Sequence, residues 1–160
     1  MKLSYIFVVL FFLFFSFPAF AQKNVDLSNN LIVVLPSNFV AGEELTFSDE
    51  QDGVHINILE MDVDEEFSKQ ELIDEVVSGL KQQWSSYVLL SKGDFNKVSY
   101  SAVFIKGKMY SDEADVNIMI DQYLILDGNK LYNINCACPE NAYAKYAKVF
   151  DNIAGSFRKK

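Results

Sequence analysis

The sequence has few of the residues from which enzymes usually build active sites. Its 160 residues include one histidine, His55, and two cysteines. A Ser-His-Asp triad, a Cys-His pair or a multi-histidine metal site therefore has a single candidate centre, and no catalytic motif surrounds it. Because His55 takes an outward position in an alternating segment, we expect it to be exposed and inert. The sequence indicates no catalytic residue, no metal site and no cofactor.

Glycine and proline are also scarce, at seven and three residues. The glycines are scattered singly, and the chain has no G-x-S-x-G, no Walker A loop and no G-x-G-x-x-G. The glycine pattern therefore argues against a phosphate-binding loop. After residue 21 the chain has no repeat, low-complexity tract or linker, which predicts one compact unit.

Basic residues are a minority in this chain. It has 14 Lys+Arg against 22 Asp+Glu, a formal charge of −8. Lys2 is the one charged residue among the first 21, so the remainder has 13 basic and 22 acidic residues and a charge of −9. Its one basic cluster is Arg158-Lys159-Lys160. Nucleic acids and anionic membranes require clustered positive charge, so we expect no nucleic-acid partner.

The first 21 residues have the pattern of an export signal. Lys2 is a positive start, Tyr5 to Phe17 form an apolar stretch of 13 residues, and Ala19-Phe20-Ala21 is an A-x-A cleavage site. The stretch is too short for a comfortable membrane span, and an uncleaved N-terminal anchor is the alternative. No cysteine follows the site, so lipoprotein-type attachment is not supported. We predict a signal peptide at 1–21, cleavage between Ala21 and Gln22, and an exported domain at 22–160. That domain would be periplasmic or secreted, without an integral membrane segment.

Cys136 and Cys138 flank Ala137 at the end of a predicted strand. Alternation puts both sulfurs on the apolar face that also carries Tyr132 and Ile134. Residues i and i+2 of a strand have Cα atoms about 6.5 to 7 Å apart, so a disulfide between them would be strained. An oxidising compartment nevertheless favours pairing. Three interpretations stay open: buried structural thiols, a strained C-x-C disulfide, and a redox or soft-metal role.

Three acidic runs are predicted to be solvated loops. Hard cations such as Ca²⁺ need several converging oxygens, and none of the runs has the spacing of an EF-hand loop. The run before the first helix also gains from the helix dipole. The runs are Asp49, Glu50 and Asp52; Asp62, Asp64, Glu65 and Glu66; and Asp112, Glu113 and Asp115.

The first predicted helix has complete boundary signals. Ser68 and Glu71 form an S-x-x-E capping box, and Phe67 before the cap can pack on Leu72. The helix is expected from Lys69 to Trp84, with Trp84 as a core anchor. Its apolar residues recur at helical spacing and form one stripe: Leu72, Ile73, Val76, Val77, Leu80 and Trp84.

The rest of the chain alternates as strands and ends in a second helix. A hairpin turn is expected at 127–130, where Gly128 and Asn129 tolerate positive φ. The second helix runs from Pro139 to Phe157, and the basic residues at its end would complement its dipole. The predicted fold class is α+β, an antiparallel β-sheet with helices packed on both faces. The predicted strands are Leu31–Leu35, Glu44–Ser48, Val54–Glu60, Tyr87–Ser91, Val98–Lys108, Val116–Leu126 and Leu131–Cys136.

This order of elements resembles the PsbP-like superfamily, which includes PsbP and the Ran-binding Mog-type proteins. The resemblance rests on the loop Leu35-Pro36-Ser37-Asn38-Phe39, the helix and antiparallel meander that follow, and a final strand, proline and helix ending in Ser156-Phe157. It covers nearly all of 22–160. It implies a PsbP-like α/β/α sandwich and a non-enzymatic accessory or binding role, and no catalytic residue carries over. Nothing in the chain matches a thylakoid-targeting segment.

Three functional hypotheses follow from the sequence. The first is an exported, non-enzymatic accessory or protein-interaction domain with an envelope or secreted protein partner. The second is a carrier of a small apolar ligand, and the third is an enzyme of unrecognised type. The carrier hypothesis depends on six aromatic residues expected around the sheet: Phe104, Tyr110, Tyr123, Tyr132, Tyr143 and Tyr146.

Overall fold

The computed structural model describes residues 22–63 and 67–160. The predicted signal segment 1–21, up to Ala21, and the acidic residues Asp64, Glu65 and Glu66 lie outside the described residues. The described chain has an α+β fold with two α-helices and mainly antiparallel β-sheet. In chain order the elements are β1 (Gln22–Leu27), β2 (Leu31–Pro36), β3 (Val40–Ala41), β4 (Thr46–Asp49), β5 (Val54–Asp62), α1 (Lys69–Gln83), β6 (Val88–Asp94), β7 (Ser101–Ser111), β8 (Val116–Asp127), β9 (Lys130–Pro139), α2 (Glu140–Gly155) and β10 (Arg158–Lys159).

The main sheet has seven strands in the order β3-β4-β5-β9-β8-β7-β6, each antiparallel to its neighbours. β8 and β9 form the predicted hairpin, in which Asp127 pairs with Lys130. Gly128 begins the turn at a φ of 62°, a conformation that glycine adopts without steric cost. The predicted strands are present, with ends displaced by as much as three residues.

A second, three-stranded sheet has the order β1-β2-β10. The sequence pattern does not predict β1 or β10. Contrary to our expectation, the basic residues after α2 do not complement its dipole, because the helix ends at Gly155. Arg158 and Lys159 instead pair with Ile32 and Leu31 of β2.

Helix α1 begins with the predicted capping box. The Ser68 hydroxyl accepts a 3.2 Å hydrogen bond from the Glu71 backbone N–H, and the Glu71 carboxylate accepts a 2.9 Å bond from the Ser68 N–H. These bonds satisfy backbone donors that the first helical turn would otherwise leave unpaired. The buried residues of the helix are Leu72, Ile73, Val77 and Leu80.

The prediction that Trp84 anchors the core is wrong. α1 ends at Gln83, and Trp84 is a half-buried C-cap whose backbone N–H donates to the carbonyl of Leu80 at 2.9 Å. It lies outside both hydrophobic clusters of the described residues. The extended backbone at Trp84, with a φ of −128°, turns the residue away from the helical stripe.

Helix α2 follows β9 directly, with Pro139 as its N-cap. Proline suits this position because its missing N–H would have no helical partner there. The residues that α2 buries are Tyr146, Phe150, Ile153 and Ala154. No helix among the described residues is long and apolar enough to cross a membrane.

Two hydrophobic clusters lie against the main sheet. Val103 and Ile105 of β7 pack in a cluster with three buried residues of α1, namely Leu72, Ile73 and Val77. Ala102 and Phe104 pack instead in the larger cluster, which contains the buried residues of α2. Neighbouring residues of β7 therefore belong to different clusters, as expected where side chains alternate along a strand.

Candidate functional site

The two cysteines lie on one face of β9, as predicted, and both are buried free thiols in this structure. They belong to the cluster that also holds Tyr132 and Ile134. Burial raises the pKa of Cys138 to about 12 and raises the pKa of Cys136 well above its ordinary value. The thiolate is the reactive form of cysteine, so these thiols are unreactive while the fold is intact. Whether the two sulfurs pair in an oxidising compartment stays a prediction.

His55 is exposed, as predicted. It lies on β5 between Ser48 of β4 and Ala137 of β9. Within 22–63 and 67–160, no group of three His, Cys, Asp or Glu side chains is placed to hold a metal ion. His55 therefore has no neighbouring ligand set in the described chain.

The acidic run at 49–52 is not the solvated loop that we expected. The Tyr146 hydroxyl donates hydrogen bonds to Asp49 at 2.6 Å and to Asp52 at 2.7 Å. The hydrogen bond from Tyr146 lowers the pKa of Asp49, and the hydrogen bond from Lys145 lowers the pKa of Asp52. The loop is thus attached to α2, which lies more than 90 residues further along the chain. In the third run Asp112, Glu113 and Asp115 are exposed.

A buried ionic network lies between β8 and α2, and sequence reasoning missed it. The Asp121 side chain is fully buried, and one of its oxygens lies 3.2 Å from Lys106 Nζ. Lys106 also lies 3.3 Å from Asp151. The Tyr143 hydroxyl donates to both oxygens of Asp121 at 3.0 Å, and the Tyr123 hydroxyl donates to Asp151 at 2.6 Å. Each carboxylate therefore has both a cation and a hydroxyl donor.

The two carboxyl groups of this network respond to their surroundings in opposite directions. Burial raises the pKa of Asp121, although Lys106 opposes the shift. Partial burial alone would raise the pKa of Asp151. The hydrogen bond from Tyr123 and the nearby lysines have the larger combined effect, so the pKa of Asp151 is lowered. Because the polar groups are already paired with one another, the network stabilises the contact of α2 with the sheet rather than presenting free groups.

A pocket of about 370 Å³ opens beside the network. Two aromatic rings, Phe95 and Phe104, form part of its wall. The other lining residues are polar or charged: Asp94, Asn96, Lys97, Lys106 and Asp151. Lys97 and Lys106 both pair with Asp151, so ion pairs form part of the pocket wall. This lining does not suit a purely apolar ligand.

The six aromatic residues of the carrier hypothesis do not line one cavity. Tyr123, Tyr132 and Tyr146 are buried in the core, with at most 2% of their surface exposed. Tyr110 is 41% exposed and bonds to Asp115 in a surface turn. The rings therefore fill the core and its margins, which weakens the carrier hypothesis.

The part of the main sheet beside α1 is the surface best suited to binding. We call it the amide face and define it by Asn57, Leu59 and Met61 of β5, Asn133 and Asn135 of β9, and Gln122 of β8. Asn57 pairs in register with Asn135, which pairs with Gln122, and Leu59 pairs with Asn133. Alternation places these six side chains on the side of the sheet that carries α1. Leu59 and Met61 are 45% and 40% exposed.

The amides of this face have hydrogen-bonding capacity that the described chain leaves unused. Four carbonyl oxygens are buried without a partner among the described residues, namely those of Asn57, Gln122, Asn133 and Asn135. Gln122 and Asn133 are 6% and 8% exposed. An unpaired buried acceptor costs about 1 to 3 kcal/mol. These oxygens are covered by the chain itself, so a donor on another molecule reaches them only after the amide side chains rotate toward the surface.

The amide face carries no formal charge, whereas the chain as a whole is acidic. Its six residues are amides and aliphatic side chains. The neighbouring charged residues of β5, Glu60 and Asp62, point to the opposite side of the strand by alternation. Depletion of charge around exposed apolar groups is typical of the centre of a protein interface.

Solved structures resemble this chain over most of its length. Cyanobacterial PsbP (CyanoP) from Synechocystis sp. PCC 6803 has a TM-score of 0.68 at 11% identity, covering 91% of this chain and 96% of that one. The Ran-binding protein Mog1p of Saccharomyces cerevisiae has a TM-score of 0.55 at 12% identity, covering 88% and 96%. LpqN of Mycobacterium tuberculosis, involved in cell envelope biogenesis, has a TM-score of 0.58 at 9% identity, covering 86% and 89%.

The chain therefore has the PsbP-like fold, which confirms the resemblance seen in the sequence. No family model and no curated protein matches the sequence. At such low identity the structural likeness defines the fold and transfers no residue role.

Proposed function

We propose that this protein is an exported, non-enzymatic accessory domain that binds another protein through the amide face. The observation that carries the proposal is the set of four unpartnered amide oxygens beside the exposed Leu59 and Met61. A buried acceptor without a donor is unfavourable in the isolated chain, and exposed aliphatic groups next to it gain by burial. A protein surface that covers the face buries Leu59 and Met61, and its hydrogen-bond donors would reach the amide oxygens of the half-buried Asn57 and Asn135 once those side chains rotate outward.

Fold neighbours and charge support a protein partner. One neighbour is a Ran-binding protein, and another is involved in cell envelope biogenesis. The acidic chain has too few basic residues to follow a nucleic-acid backbone. Residues 1–21 have the pattern of a signal peptide, so the partner belongs to the envelope or to the secreted proteins.

The remaining domain organisation is part of the same proposal. Residues 22–160 form one domain after cleavage between Ala21 and Gln22. Helices α1 and α2 cover opposite faces of the main sheet, which is supported by the alternation of β7 residues between the two hydrophobic clusters. The amide face then lies on the α1 side of the sheet, with Leu59 and Met61 as its exposed part.

Site-specific photocrosslinking in the native compartment tests the function. A benzophenone amino acid replaces Met61 in one variant and Leu90 in a control variant. Leu90 is 50% exposed on the edge strand β6, so both probes contact solvent in the isolated chain. We expect a discrete crosslinked protein product from position 61 and none from position 90. No product at position 61, or the same product at both positions, would contradict the proposal.

A further inference from the structure

Cleavage after Ala21 would leave a glutamine as the first residue of the domain. Strand β1 begins at this residue, Gln22, and lies at the edge of the three-stranded sheet. The next residue is held in place, because the Lys23 ammonium donates to the Phe39 carbonyl and lies 5.1 Å from the centre of the Phe47 ring. The α-amine of the cleaved chain would therefore lie at a fixed point on a folded edge.

The Gln22 side chain extends into solvent. Val25 and Leu27 are the buried residues of β1, and alternation puts Gln22 on the opposite side of the strand. Asn24 and Asp26 share that side and are exposed as well. The carboxamide of Gln22 is therefore free to fold back toward its own backbone nitrogen.

We propose that Gln22 is a modification site at which the cleaved chain closes into an N-terminal pyroglutamate. The lone pair of the α-amine attacks Cδ of the same side chain, so an N–Cδ bond forms and closes a five-membered lactam. The Cδ–Nε2 bond breaks, and the side-chain nitrogen leaves as ammonia with one proton from the amine. No oxidant, reductant or second substrate is consumed. The proposal rests on the cleavage between Ala21 and Gln22, which is part of the proposed function.

Cleavage is also what makes the nitrogen reactive. A peptide nitrogen is not nucleophilic, so the nitrogen of Gln22 cannot attack while it is bonded to Ala21. The ordinary pKa of a free α-amino group lies close to neutral, so a substantial share of such groups is uncharged at neutral pH. The reaction therefore begins with removal of the signal segment.

The lactam is compatible with the pairing of β1 and β2. Gln22 pairs with Pro36, which has no backbone N–H to donate. The one backbone hydrogen bond available to this pair runs from the Gln22 nitrogen to the Pro36 carbonyl. The lactam nitrogen keeps one hydrogen and can still donate it. Cyclisation therefore costs the sheet no hydrogen bond.

Cyclisation changes the terminus of the domain in two ways. It removes the positive charge that a free terminal ammonium would carry. It also removes the α-amine that aminopeptidases require, so digestion cannot begin at β1. The first strand is thereby protected in a compartment that contains peptidases.

Mass spectrometry of the protein purified from its exported fraction tests the proposal. We expect the N-terminal peptide to be about 17 Da lighter than the peptide that begins with open Gln22, because ammonia has been lost. Pyroglutamyl peptidase should then remove the blocked residue and expose Lys23.

Gln22→Asn is the matched control. Asparagine keeps an amide at the same exposed position, but its side chain is one methylene shorter, so the same attack would close a strained four-membered ring. This variant should keep its full mass. A synthetic peptide with an open N-terminal glutamine, carried through the same preparation, measures any cyclisation that occurs during handling.

The outcomes separate this proposal from the proposed function. Open Gln22 in the purified protein, the same mass loss in Gln22→Asn, or equal cyclisation of the synthetic peptide overturns the modification and leaves the cleavage site standing. A chain that begins at another residue contradicts the cleavage itself, and the modification fails with it. The photocrosslink at position 61 depends on neither result, so it tests protein binding separately.

Discussion

The ring of Tyr87 lies directly over Gly107. A Cβ on Gly107 would lie 2.5 Å from Cζ and 2.6 Å from Cε2 of Tyr87. Gly107 is paired on both sides in the sheet, with Leu89 and Ile120, so its backbone has little freedom to retreat. We therefore expect Gly107→Ala to lower the free energy of unfolding by about 1 to 3 kcal/mol through overpacking, measured by urea unfolding.

Gly79→Ala is the matched control for this change, because the Cβ there would meet open space. It should raise the stability of the monomer by about 0.5 to 1 kcal/mol. Losses of equal size at the two glycines would contradict the packing of Tyr87 on Gly107.

The N-cap of α1 predicts a second stability change. Ser68→Ala removes the hydroxyl that accepts from the Glu71 backbone, and it should cost about 1 kcal/mol in urea unfolding. Ser78→Ala is the control on the same helix, where an exposed interior serine has no capping role and alanine is the better helix former. An unchanged stability for Ser68→Ala would contradict the capping box.

Local sequence signals predicted most of the regular structure. The capping box at Ser68, the turn at Gly128 and the alternation along β5 and β9 each determine local geometry, and the structure contains all three. Two strands of the small sheet, β1 and β10, were missed for different reasons, although its central strand β2 was predicted. β10 forms by pairing of Arg158 with Ile32, a residue far away in the sequence, so no local pattern indicates it. β1 has just two buried residues, Val25 and Leu27, which make only a short apolar pattern.

The polar sites were predictable only in part. Asn133 and Asn135 alternate within an otherwise apolar strand, and this pattern could have indicated a polar patch on one side of β9. Asp121 was a weaker indication of the ionic network, because an acidic residue in an apolar strand does not show which basic residue pairs with it. Lys106 lies opposite Asp121 only through the register of β7 with β8, and no local pattern encodes that register.

Tyr146 predicts a pH-dependent change in stability. Tyr146→Phe removes the hydroxyl that donates to Asp49 and Asp52, and should lower the free energy of unfolding at neutral pH. The pKa of each carboxyl is lowered below 3.8, so the stabilisation is present above pH 3.8 and is lost as pH falls through the lowered value. The difference from wild type should therefore shrink in acid unfolding curves.

Tyr110→Phe is the control for the tyrosine change. Its hydroxyl bonds to Asp115, but the residue is 41% exposed near the end of β7, so water replaces the lost bond. We expect little change at any pH. A deficit for Tyr146→Phe that persists unchanged at pH 3 would mean that ring packing, rather than the two carboxylates, carries the effect.

The two carboxyls around Lys106 should respond oppositely to pH. Burial raises the pKa of Asp121, so the folded state holds this proton more tightly than the unfolded state does. Its contribution to stability grows as pH falls from the raised pKa toward 3.8. The difference between wild type and Asp121→Asn, measured by urea unfolding, should therefore move in favour of wild type as pH falls.

Asp151→Asn is the counterpart, because the pKa of Asp151 is lowered. Its stabilisation is present above pH 3.8 and is lost as pH falls through the lowered value, so the advantage of wild type over this variant should shrink in acid. Parallel pH profiles for the two variants would contradict the assignment of opposite shifts within the network.

The buried thiols of β9 predict a sharp change in reactivity on unfolding. Cys136 is fully buried and Cys138 is 1% exposed, and burial raises the pKa of both. A colorimetric thiol reagent should therefore detect no thiol in the folded protein at pH 8 and two in concentrated urea without reductant. A protein that shows none in urea, and two only after reduction, carries the C-x-C disulfide. Such a bond would require β9 to depart from the regular pairing of Cys136 with Ile56 and of Cys138 with Met119, because it must bring the Cα atoms within about 6.8 Å and turn the two Cβ atoms toward each other.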